Sequence, residues 1–119
     1  MSDRLDAMND ESLIRMLVES TLRHYENLAR ADVERANAAS ESAMRIRAEI
    51  SRRGRGAGER LLPLLADELP AVRSLAATFV VDFAPDRARP VLEELADGDY
   101  GAISLNAQLF LSHLRGNAK

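Results

Sequence analysis

The chain has 119 residues, 46% of them hydrophobic, so it can form one domain with a real core. A net charge of −3 gives no global attraction to nucleic acid or an anionic membrane, and the lack of cysteine excludes disulfides, cysteine-ligated zinc and a thiol nucleophile. With aromatics at 4% and no tryptophan, the core has to be built from Leu, Ala, Val and Ile.

Residues 1–9 are polar and acidic, do not read as a signal peptide, and are expected to be flexible. Asn9 or Asp10 is a suitable N-cap for a first helix over about 10–31, with the apolar stripe Leu13, Ile14, Leu17, Val18, Leu22, Tyr25 and Leu28. Asp32 caps a second helix, about 32–53, whose apolar side is thinner. Its cluster Ala36-Asn37-Ala38-Ala39-Ser40 has small side chains, which suits a helix crossing closely there.

Gly54, Gly56 and Gly58 then interrupt the chain and predict a mobile loop. Charge changes here as well. Residues 45–60 hold six Arg against two Glu, whereas residues 1–44 hold five Arg against nine acids. The belt Arg45, Arg47, Arg52, Arg53, Arg55 and Arg60 could contact phosphate or nucleic acid. However, the loop lacks the Gly-Lys-Ser/Thr ending of a nucleotide-binding loop and follows a helix rather than a strand.

A short helix is expected over 59–69 and a stronger one over 70–84. The second starts at Pro70, stops before Pro85 and carries Val72, Leu75, Ala76, Phe79, Val80 and Phe83 on one face. Asp86 is a candidate cap for a helix over 87–97, Gly98-Asp99-Tyr100-Gly101 makes the next turn, and a last helix covers 102–115. Residues 117–119 are expected to be flexible. A shift of 30 positions lays Leu62, Leu65, Ala66 and Asp67 on Leu92, Leu95, Ala96 and Asp97. The same shift lays Leu75, Ala77, Phe79 and Val80 on Leu105, Ala107, Leu109 and Phe110. Self-similarity of this period is the mark of stacked helical repeats. In the second copy Asn106 stands where Ala76 did, and His113 where Phe83 did.

The stretch Pro70-Ala71-Val72-Arg73-Ser74-Leu75-Ala76-Ala77 resembles the second half of a HEAT repeat. Over residues 13–116 the chain is similar to a family of small bacterial HEAT-like helical domains of unknown function. Ala31-Asp32-Val33, Arg35-Ala36-Asn37, residues 61–77, Pro85 and Val91-Leu92-Glu93 carry that likeness. It implies an all-α fold over residues 10–116, with antiparallel helical hairpins stacked as a short α-solenoid, and no established activity. An aromatic expected in the last helix is replaced here by His113 and Leu114.

No constellation for catalysis can be named. His24 and His113 are the only histidines, and no His-x-x-x-His or Glu-x-x-His pair exists. Neither enzyme activity nor a cofactor or metal is expected. Arg73, beside the apolar stripe, is expected to pair with an acid from Asp67, Glu68, Asp82 or Asp97. The leading expectation is a cytoplasmic protein-binding module with its site around Asn37, Arg73 and Asn106. Self-association as a homodimer is open to a short stack of this kind. Nucleic-acid or phosphate binding through the arginine belt is the alternative, and no membrane role is expected.

Overall fold

The structure is a computed structural model that describes residues 4–117. Residues 1–3 and 118–119, part of the expected flexible ends, lie outside the described residues. Among the described residues there are only helices and turns: α1 (Asp10–Ala29), α2 (Val33–Arg52), α3 (Arg55–Glu59), α4 (Pro70–Val80), α5 (Pro85–Asp97) and α6 (Ala102–Asn117). Two 3-10 helices, Leu5–Ala7 and Leu62–Ala66, complete the set. No helix is long and apolar enough to cross a membrane among the described residues. The chain divides into two compact units, one ending at Leu61 and the other starting at Leu62.

The first unit is an antiparallel helical hairpin. Asn9 accepts a hydrogen bond from Ser12 N at 2.8 Å and caps α1, and Asp32 accepts one from Arg35 N at 3.1 Å and caps α2. The link between the helices is very short. Asp32 N donates to Asn27 O at 2.8 Å and Ala31 N to Leu28 O at 3.0 Å, the paired bonds of a Schellman ending. Ala31 takes the left-handed backbone that this ending requires, φ 61°, although it is not glycine. Leu13 and Leu17 of α1 and Ile46 and Ile50 of α2 are buried. Each buried leucine or isoleucine contributes about 1.5–3 kcal/mol of burial free energy.

The small-residue cluster on α2 is split by the helical period. Ala36 and Ala39 are buried, while Asn37 and Ala38 face outward. His24 Nδ1 donates to the carbonyl of Ala36 at 2.8 Å, so α1 comes within side-chain reach of the α2 backbone where only an alanine intervenes.

Residues 54–60 are not a mobile loop. Gly54, with φ 98°, turns the chain, and α3 follows with Ala57 and Gly58 buried. Residues 4–9, expected to be flexible, include the 3-10 helix Leu5–Ala7, whose Leu5 carbonyl accepts from Arg53 at 2.8 Å.

The second unit holds the 3-10 helix Leu62–Ala66 and α4, α5 and α6. The expected continuous helix over 59–69 is broken into α3, a turn at Arg60–Leu61 and this 3-10 segment. Pro63 supplies no N–H and disfavours α backbone at Leu62. Asp67 Oδ1 then accepts from Leu69 N at 2.9 Å and sets up the start of α4 at Pro70. Val72, Leu75, Ala76 and Val80 are buried as the stripe predicts, while Phe79 and Phe83 are half-buried. α4 ends at Val80 rather than near 84, through a turn in which Ala84 N bonds Val80 O at 2.7 Å.

α5 begins one residue before Asp86. Pro85 takes the first helical position, Ala84 precedes it without a side-chain cap, and Asp86 adds charge to the first turn. Pro90 lies inside the helix rather than in its first turn. The carbonyl it leaves unpaired belongs to Asp86, an exposed residue of that first turn, so water can satisfy it. α5 and α6 are antiparallel, and Gln108 donates to Ala96 O at 3.0 Å. The turn between them is tied by Ser104, which accepts from Tyr100 N at 2.9 Å and donates to Gly98 O at 3.0 Å. Gly98 lets the exposed Tyr100 ring lie against the turn. A Cβ on it would lie 2.8 Å from Tyr100 Cδ2, inside van der Waals contact.

Candidate functional site

Of the belt arginines, Arg52, Arg53, Arg55 and Arg60 have acidic partners within the first unit. Arg53 Nε donates to Glu49 and its Nη1 to Asp10, both at 2.9 Å, which joins the end of α2 to the start of α1. Arg52 makes a two-pronged pair with Glu49, at 3.0 and 2.6 Å. Arg55 pairs with Glu59 at 3.1 Å and Arg60 with Asp10 at 3.5 Å. The hydrogen bonds from Arg52, and next those from Arg53, hold the Glu49 carboxyl down to about 2. Arg47 is half-buried, and desolvation lowers its pKa, which disfavours the charge. Arg45 is exposed.

The belt is therefore a charge network closing the open end of the hairpin. Asn9, Asp10, Glu11, Arg53 and Arg60 line a shallow hollow of about 410 Å³ there. Three of those five side chains are polar acceptors, two of them anionic. An incoming phosphate would compete with acids already bound to the arginines.

Arg73 lies at the start of α4 with 15% of its side chain exposed. Its carboxylate partner is none of the four acids expected from sequence, although two of them, Asp67 and Glu68, bind it through their backbone carbonyls. Its Nη1 donates to the backbone carbonyls of Asp67 at 2.9 Å and Glu68 at 3.1 Å, and its Nη2 pairs with Glu94 of α5 at 3.6 Å. The guanidinium also sits 5.9 Å from the Tyr100 ring centroid. Its Nε is buried without a hydrogen-bond partner. The Asp67 carboxylate is turned to the Leu69 amide, which explains why it does not reach the arginine. Helical spacing does not reveal Glu94 as the partner, because the turns before α4 and α5 set the register.

Asn37 is exposed on α2 of the first unit, whereas Arg73 and Asn106 belong to the second. Asn106 is exposed on α6 beside two exposed leucines. The 30-residue shift matches Leu105 to Leu75 and Leu109 to Phe79. Yet Leu75 is 3% exposed, while Leu105 and Leu109 are 56% and 61% exposed. The buried side of α6 is Ser104, Ala107 and Leu111 instead. Ala102, Leu105, Asn106, Leu109, Ser112 and His113 form the outer face, which carries no acid, lysine or arginine. The signal in the sequence was Asn106 and His113 themselves. Polar residues in the places of Ala76 and Phe83 mark the neighbouring leucines as outward-facing.

His24 is occupied structurally. Its Nδ1–H is committed to the Ala36 carbonyl, and its ring meets Tyr25 edge-on at 5.0 Å. His113 is exposed. No group of three or more His, Cys, Asp or Glu is placed to hold a metal ion among the described residues.

The fold is shared with a known structure. The crystal structure of the protein RPA1889 from Rhodopseudomonas palustris CGA009 superposes with a TM-score of 0.86 at 22% sequence identity, covering 98% of this chain and 95% of that one. No curated protein matches the chain. The sequence pattern of a domain of unknown function, DUF2019, matches residues 11–115, which is nearly the whole chain. The chain belongs to the DUF2019 family.

Proposed function

We propose that this chain is a non-catalytic protein-binding module, a short HEAT-like helical stack that works in the cytoplasm and docks a partner on the outer face of α6. The observation that carries this reading is the contrast between equivalent positions. Leu75 is 3% exposed, whereas Leu105 and Leu109 are more than half exposed on a face without charge. In a helical repeat a face of this kind is the one on which the next element stacks. Asn106 and His113 border the leucines and give a partner hydrogen-bonding groups at the rim. The state of the arginines supports the same reading, since Arg52, Arg53, Arg55 and Arg60 are already paired with acids.

The test is a tagged pull-down from native cytoplasm with and without nuclease, with Leu109→Asp beside the natural chain. One protein chain held in stoichiometric amount after nuclease, and lost from Leu109→Asp, is the expected result. Recovery of nucleic acid, with co-purifying proteins lost on nuclease treatment, would overturn it in favour of the arginine belt.

A further inference from the structure

Residues 4–8 form a strap tied to the arginines at the open end of the first hairpin. We propose that this strap is an autoinhibitory contact: when it lifts, the arginines it occupies bind the phosphate backbone of a nucleic-acid duplex. This goes beyond the protein-binding reading and does not depend on the α6 face.

The strap is poised to release. Its 3-10 helix, Leu5–Ala7, buries no residue, and Leu5 and Met8 are only half-buried. Arg4 leads into it with left-handed backbone, φ 58°, which strains any residue that carries a Cβ. The ties that hold it down are polar. Arg53 Nη2 donates to the Leu5 carbonyl at 2.8 Å, and Asp6 lies close enough to Arg52 to attract it.

The arginines so occupied already grip an anion. Arg53 Nη1 holds one carboxylate oxygen of Asp10 at 2.9 Å, and Arg60 Nε pairs with the other at 3.5 Å. Two guanidinium groups on the two oxygens of one anion is an arrangement that a phosphodiester also satisfies. Residues 45–60 hold six Arg against two Glu, and the strap and the start of α1 bring the offsetting Asp6, Asp10 and Glu11. Lifting the strap takes Asp6 away and frees Arg53 Nη2, so an incoming phosphate has only Asp10 to displace. Residues 45–60 contain no aromatic on which a base could stack, which favours the backbone of a duplex over a single strand.

The test is anisotropy of a short labelled DNA duplex at low salt, with the full chain. Ala7→Pro opens the strap without changing the net charge, because it removes the bond from Ala7 N to Arg4 O and drives Asp6 out of its turn. It is expected to bind about tenfold more tightly than the natural chain, the gain of one further charge-assisted hydrogen bond. That affinity should fall steeply as salt rises. Adding Arg53→Gln should cancel the gain, and adding Leu109→Asp should leave it, with circular dichroism confirming that each variant folds. In the natural chain, an excess of duplex should speed deuterium exchange at the Met8 amide, which bonds Leu5 O in the closed strap. Ala7→Pro binding no tighter than the natural chain, a gain that survives Arg53→Gln, or Met8 exchange unmoved by duplex would each overturn the proposal. So would a gain seen with inorganic polyphosphate and not with DNA.

Discussion

The two units use arginine in opposite ways. In the first, the charge is shared: Arg52, Arg53 and Arg60 divide Glu49 and Asp10 among them at the open end of the hairpin. Each acid has more than one cation, so removing one arginine leaves the other contact in place. In the second, Arg73 bonds two backbone carbonyls before α4 and pairs with the half-exposed Glu94 of α5. A shared network makes each member replaceable, whereas a lone, mostly buried guanidinium does not.

The sharpest way to break that comparison is Arg73→Ala. The ion pair contributes little, because Glu94 is 55% exposed and screened by water. The lost bonds to the Asp67 and Glu68 carbonyls dominate, and the expected cost is about 2 kcal/mol, seen as a lower melting temperature. An unchanged melting temperature would sink this account of Arg73. Glu94→Gln serves as the control and should cost distinctly less.

A smaller effect, of opposite sign, is expected in the first unit. Ala31 pays for a left-handed backbone that glycine adopts freely. Ala31→Gly should therefore stabilise the hairpin by about 0.5–1 kcal/mol in chemical denaturation, less whatever the freer unfolded chain takes back. A loss of stability would show that the Schellman geometry does not strain this alanine.

The last prediction concerns pH. Glu49 has its folded pKa depressed to about 2 from an ordinary 4.5. Its contribution is therefore fully present above pH 4.5 and is lost as the pH falls from 4.5 toward 2, because the unfolded chain takes up the proton first. Glu49→Gln should flatten the stability profile in that window. A profile between these two pH values that the substitution does not change would remove the network from the account of acid sensitivity.

Sequence carried the helices further than the surfaces. The start of α4 at Pro70, the caps Asn9 and Asp32, and the buried stripe from Val72 to Val80 were legible because they depend on near neighbours along the chain. The segment over 59–69 was not, because Leu61, Leu62, Leu64 and Leu65 fit a helix and a 3-10 turn equally well until the backbone demands of Pro63 are met. The glycines at 54–58 read as a loop because their lack of side chains was taken for freedom. Two of them instead serve burial and turning, Gly58 inside α3 and Gly54 ahead of it. The candidate site was least legible. The 30-residue shift aligns Leu105 with the buried Leu75, but burial depends on what packs against a face, and a repeat pattern does not state where the stacking stops. Likewise the belt arginines announced their charge but not their partners, since Asp10 lies 43 positions from Arg53.

The Arg73–Tyr100 arrangement has an optical consequence. The chain has two tyrosines and no tryptophan, and each unit holds one of them. Tyr25 meets the His24 ring in the first unit, and Tyr100 lies near a guanidinium in the second. All ultraviolet emission above the phenylalanine background thus comes from one chromophore per unit, each beside a different neighbour. Tyr25→Phe leaves a chain whose emission reports the second unit alone, and Tyr100→Phe leaves one that reports the first. Whether the halves melt together or apart can then be read from the intrinsic light of the protein, without any label.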